Sequence, residues 1–115
     1  MRLLLVEDND RMRQLIRSVL EGFVSDIHEC TGGDEALAAY AQCQPDWVLM
    51  DIKMPRMDGI TATRQIMQEW PEAKVVMLTD YDDDELRAAA LSAGACDYVL
   101  KEDLRLLRRL LQGQG

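Results

Sequence analysis

Five polar side chains stand where short apolar runs of this chain stop. Leu3–Val6 runs into Glu7-Asp8, Trp47–Met50 into Asp51, Lys74–Leu78 into Thr79, and Tyr98–Leu100 into Lys101. If the runs are parallel strands, these residues share one edge of a sheet, where open α/β sheets place their chemistry. Three carboxylates brought together resist ionising at once unless a cation joins them. A hard divalent ion such as Mg²⁺ suits them, because it takes one or two carboxylates and keeps positions for water and a phosphate oxygen. An aspartate left free to attack phosphorus forms an acyl phosphate. Phosphoryl transfer asks for in-line placement and positive charge, which the metal, Lys101 and the Thr79 hydroxyl would supply. The residues therefore point to an aspartyl phosphorylation site at Asp51.

The elements that must position them follow a βα pattern repeated five times. Asn9 or Asp10 can cap a helix with Met12, Leu15, Ile16, Val19 and Leu20 on its apolar side, ended by Gly22. A strand over Ser25–Cys30 mixes Asp26, His28 and Glu29 with one Ile, as an edge strand does. A helix over Asp34–Gln42 carries Ala36, Leu37, Tyr40 and Ala41 on one side. Trp47–Met50 is continuous and apolar, as a strand buried on both faces is. Asp58 caps the next helix, which stops before Pro71. Asp82 or Asp83 caps a helix with Leu86, Ala89, Ala90 and Ala93 inward, ended by Gly94. The last helix, about Asp103–Gln112, puts Leu104, Leu107 and Leu111 on one side, extended by Leu110 and Leu106, with Arg105, Arg108 and Arg109 opposite. That stripe is wider than one sheet face covers, which leaves two readings: part of it at a partner or dimer contact, or a fully buried helix with a solvated Arg face. Gln112–Gly115 is expected to fray.

Alternating strands and helices imply right-handed crossovers and a doubly wound parallel sheet. At 115 residues one domain is expected, 1–115 with its core over about 2–112. A net charge of -8 argues against direct nucleic-acid or anionic-membrane binding. No apolar segment approaches spanning length, and the N-terminus meets acid too early for a signal peptide. Three cysteines (Cys30, Cys43, Cys96) without a CxxC, and one histidine (His28), suggest reduced thiols in a cytoplasmic protein, not zinc.

With these residues in order, Val6-Glu7-Asp8-Asn9, Met50-Asp51-Ile52-Lys53-Met54-Pro55, Met57-Asp58-Gly59, Leu78-Thr79, Gly94-Ala95 and Tyr98-Val99-Leu100-Lys101, the chain resembles receiver (response-regulator) domains of bacterial two-component signalling. The resemblance implies a flavodoxin-like sheet of order 2-1-3-4-5 with helices on both faces. It implies Asp51 as phosphoacceptor from a sensor histidine kinase or phosphotransfer protein. Mg²⁺ would be held by Asp8, Asp51 and the main-chain carbonyl of Lys53, with Glu7 acting through water. Thr79 and Lys101 would bind phosphoryl oxygens, and Tyr98 would be the aromatic switch, turning inward as Thr79 is recruited. Such a domain catalyses only its own phosphorylation and dephosphorylation, is cytoplasmic, dimerises in some cases, and is often the N-terminal part of a DNA-binding transcriptional regulator.

Two departures from the family pattern stand out. Glu102 follows Lys101 where many receivers have proline, and Asp80 follows Thr79 where a small residue is common. Asp80 is expected to point into solvent. The competing chemistry is a Mg²⁺-dependent phosphatase acting on external substrates. Haloacid-dehalogenase-type enzymes place a second aspartate two residues after the nucleophile, where this chain has Lys53, and no segment forms a cap.

Overall fold

A computed structural model describes residues 1–112. The strands are β1 (Arg2–Val6), β2 (Asp26–Cys30), β3 (Trp47–Asp51), β4 (Val75–Thr79) and β5 (Asp97–Leu100). The helices are α1 (Asp10–Leu20), α2 (Gly33–Cys43), α3 (Gly59–Glu69), α4 (Asp84–Ser92) and α5 (Leu106–Leu111). All strand pairs are parallel, in the order β2-β1-β3-β4-β5. The central apolar runs are continuous because both faces of the sheet are covered. Leu4, Val6, Val48, Met50, Val75, Met77 and Tyr98 face a core with Ala36 and Tyr40 of α2, Ile66 of α3 and Ala90 of α4. Leu3, Leu5, Leu49, Val76, Leu78 and Val99 face the other core, with Ile16 and Leu20 of α1 and Leu107 and Leu111 of α5.

Side-chain caps fix three helix starts. Asn9 accepts from the Met12 N–H at 2.8 Å, Asp58 from Thr61 at 2.8 Å and Asp83 from Leu86 at 3.0 Å. Each satisfies an N–H that the helix leaves unpaired. Gly94, at φ +113°, ends α4 in a conformation that side chains rarely adopt.

Three local expectations change. Leu15 is 49% exposed and Ala41 is exposed: each helix buries a narrower stripe than its apolar residues span. The last helix is shorter than the Asp103–Gln112 of the periodicity, because a 3₁₀ turn over Lys101–Asp103 precedes α5. Leu104, Leu107 and Leu111 are buried as expected, while Leu106 is exposed. Of the expected frayed end, Gly113–Gly115 lie outside the described residues. Cys30 and Cys43 are buried and Cys96 is exposed, all as free thiols. Among the described residues no helix is long and apolar enough to cross a membrane.

Candidate phosphoryl-transfer site

The register brings the strand tips level. Val6 pairs with Met50, so Glu7 and Asp51 each lie one step beyond that pair. Thr79 pairs with Leu100, the residue before Lys101. Successive side chains point to opposite faces. Asp51 therefore continues the side of Leu49, and Thr79 continues that of Val75 and Met77.

An open pocket of about 250 Å³ lies over these tips, bordered by Glu7, Asp8, Asp51, Lys53, Thr79 and Lys101, with Asp80 and Tyr81 at its rim. Carboxylate oxygens of Glu7, Asp8 and Asp51 lie within 4.8 Å of one another. Lys101 Nζ sits 2.9 Å from Glu7 Oε1 and 3.1 Å from Asp51 Oδ1. Glu7 and Asp51 are buried, at 0% and 4% exposure, whereas Asp8 is exposed. Glu7 Oε2 accepts from the Asn9 N–H at 3.2 Å. Among the described residues Glu7 Oε1 finds no donor but the Lys101 ammonium.

Burial, then the neighbouring Glu7 charge, pushes the Asp51 carboxyl up from 3.8 to about 7 against the pull of Lys101. Burial works against the Lys101 ammonium, but Glu7 and Asp51 together outweigh it and hold Lys101 above its ordinary value. One ammonium facing three acids leaves the pocket short of positive charge. Its grouped carboxylate oxygens, with one ammonium shared between the two buried acids, suit a hard divalent cation. The residues present thus fit Mg²⁺.

On the other side, Thr79 is buried and its Oγ1 accepts from the Tyr81 N–H at 3.1 Å. Tyr98 was expected to turn inward on activation. Its ring is already inside, 6% exposed, with its hydroxyl donating to the Tyr81 carbonyl at 2.7 Å. The Arg87 guanidinium covers the ring at 4.5 Å, and burial pushes the phenol up. Asp80 is exposed, in line with the solvent-facing expectation. Lys53, exposed at the pocket border, has its Nζ 5.5 Å from the centre of the Tyr81 ring. Sequence reasoning missed Arg13, which donates to the Glu7 carbonyl at 2.6 Å. Its i,i+3 spacing from Asp10 is a signal the sequence holds, whereas the bond to Glu7 leaves none because that partner is main chain.

The family model for the response regulator receiver domain matches residues 3–112. The chain is 39% identical over 121 residues to the regulatory protein AtoC of Escherichia coli, covering 99% of this chain and 26% of that protein. It is 40% identical over 98 residues to the chemotaxis protein CheY of Halobacterium salinarum, covering 85% of this chain and 82% of that one. Among solved structures, the BeF₃-activated N-terminal receiver domain of Klebsiella pneumoniae RstA superposes with a TM-score of 0.89 at 34% identity, covering 97% of each chain. The chain spans 49% and 48% of two Bacillus subtilis transcriptional regulators that it also matches. Fold, sheet order and sequence agree, and the chain belongs to the response regulator receiver domain family.

Proposed function

We propose that Asp51 accepts a phosphoryl group from a sensor histidine kinase or a phosphotransfer protein. The observation that carries this is the buried Asp51 carboxylate, grouped with the Glu7 and Asp8 oxygens and 3.1 Å from the Lys101 ammonium. An Asp51 oxygen attacks phosphorus, the P–N bond of the donor phosphohistidine breaks, and the imidazole leaves with the electron pair. Asp8, Asp51 and the main-chain carbonyl of Lys53 would hold Mg²⁺, with Glu7 acting through water. Bound there, the ion supplies positive charge to the transferring oxygens. Lys101 neutralises a further oxygen, and the Thr79 hydroxyl leaves the Tyr81 N–H to donate to another.

The switch follows from that exchange. One charge-assisted hydrogen bond of about 1.5–3 kcal/mol biases a two-state equilibrium by roughly ten- to a hundredfold. Thr79 and Tyr98 both bond to Tyr81, so redirecting Thr79 loosens the link to Tyr98. The face made by α4, β5 and α5, with Leu91 and Leu106 exposed on it, is the output and dimerisation surface. The domain is one receiver unit over 1–115, cytoplasmic, with no direct nucleic-acid contact of its own. Its likeness to transcriptional regulatory proteins supports a place as the N-terminal part of a DNA-binding regulator.

A small-molecule phosphodonor with Mg²⁺ should add one alkali- and hydroxylamine-labile phosphate per chain, and Asp51→Asn should abolish it. Equal labelling of the Asn variant would remove Asp51 from the role. Steady turnover of a phosphomonoester would instead make the domain a phosphatase.

A further inference from the structure

We propose that Arg13 is a positioning residue for the metal-binding acids, an inference that rests on the Mg²⁺ reading above. Arg13 lies in α1 with its side chain only 13% exposed. Nη1 donates to the Glu7 main-chain carbonyl at 2.6 Å. Nη2 meets Asp10, and Nε lies 3.4 Å from Glu29 Oε1 on β2.

Together these contacts close the turn that carries Glu7 and Asp8. The Glu7 N–H is tied to the Cys30 carbonyl at 3.1 Å and the Arg13 N–H to the Asn9 carbonyl at 3.0 Å. With Arg13 on its carbonyl, Glu7 is held from both sides of its main chain. The planar guanidinium reaches the loop, the helix start and the neighbouring strand at once, which a lysine ammonium on a flexible stem does not. Groups that orient metal ligands from behind typically change affinity by tenfold or more when lost.

Charge and positioning make opposite forecasts. A cation behind the acids repels a second cation, so removing it for charge alone would tighten Mg²⁺ binding. If Arg13 orients Glu7 and Asp8, removing it weakens binding.

Calorimetric titration with Mg²⁺ of the folded chain and of Arg13→Gln, Arg13→Lys and Glu29→Gln separates the two. Affinity should fall about tenfold for Arg13→Gln, nearly as far for Arg13→Lys, and less for Glu29→Gln, which keeps the Glu7 contact. Unchanged or tighter binding by Arg13→Gln overturns the proposal. Hydrogen exchange of the metal-free protein gives an independent readout. The amides of Asp8, Asn9 and Asp10 should exchange faster in Arg13→Gln while those of β3 and β4 do not, and equal exchange in this turn also overturns it. An unmutated chain that binds no Mg²⁺ would defeat the metal reading itself, and the exchange comparison would still decide whether Arg13 holds the turn.

Discussion

The loops after β3 and after β4 leave the sheet at adjacent strand tips, yet they are held in different ways. The first is pinned along its length. The Gly59 N–H donates to the Ile52 carbonyl at 2.8 Å and the Met57 N–H to the Pro55 carbonyl at 2.8 Å. Asp58 caps α3, and Arg56, at φ 71°, pairs with Asp34 at 2.8 Å. A side chain on Gly59 would meet the Asp51 carbonyl oxygen at 1.9 Å. The second loop, Asp80–Asp83, is exposed throughout. It is tied back by the Thr79 and Tyr98 hydroxyls on Tyr81, with Arg87 3.6 Å from Asp82. The acids stand on fixed main chain, whereas the hydroxyl side hangs on bonds that a rotamer change can exchange. The proposed function calls for both: a metal site that does not drift and a reporter loop that can.

Substitutions that strike each side sharpen this contrast. Gly59→Ala should cost the most, about 3 kcal/mol in urea unfolding, because main chain and not a flexible side chain stands in the way. A loss below about 1 kcal/mol would mean the first loop yields as easily as the second.

Asp51→Asn should act on stability in the opposite direction. The folded-state carboxyl is raised from 3.8 to about 7, so its contribution is fully present below pH 3.8 and is lost as pH rises through about 7. In chelator-treated protein, the variant's advantage in melting temperature should grow across that window and then level off. A constant difference would show that Asp51 ionises without strain.

Tyr98→Phe should have the smallest effect, at most about 1 kcal/mol. It removes one bond to the Tyr81 carbonyl, so faster hydrogen exchange should be confined to Tyr81–Asp83. Exchange spreading into β3 would erase the distinction between the loops.

Most of the candidate site was legible because its residues stand at the ends of the apolar strands β1, β3, β4 and β5. Burial on both faces writes Trp47–Met50 and Val75–Leu78 as unbroken apolar runs, and the first polar residue after each marks the strand tip. Asp58 was readable as a cap, and Asn9 and Asp83 each as one of two adjacent candidates, because capping depends on residue type and on distance to the first helical turn. The edge strand β2 pairs only with β1 and was placed to within a residue despite its mixed composition. Periodicity overran where packing, not pattern, decides. It placed Leu15 inward and started the last helix at Asp103, before the 3₁₀ turn after Lys101 had given way to α5. Contacts to main chain left no trace in the sequence. The Arg13 bond to Glu7 and the Tyr98 bond to Tyr81 depend on where a carbonyl points, and no residue identity encodes that.

Trp47 and Asp51 bound the same strand from opposite ends, about 13 Å apart along its axis. Trp47 lies beside Lys74, and Trp70 stacks on Tyr40 with ring centres 4.5 Å apart, both remote from the strand tips. Indole emission should therefore follow unfolding at that end and change little with the proposed ion or phosphoryl group. Tyr81, bordering the pocket and 51% exposed, is the chromophore placed to register the proposed occupancy, so one sample should offer two spectrally separable views of its two ends.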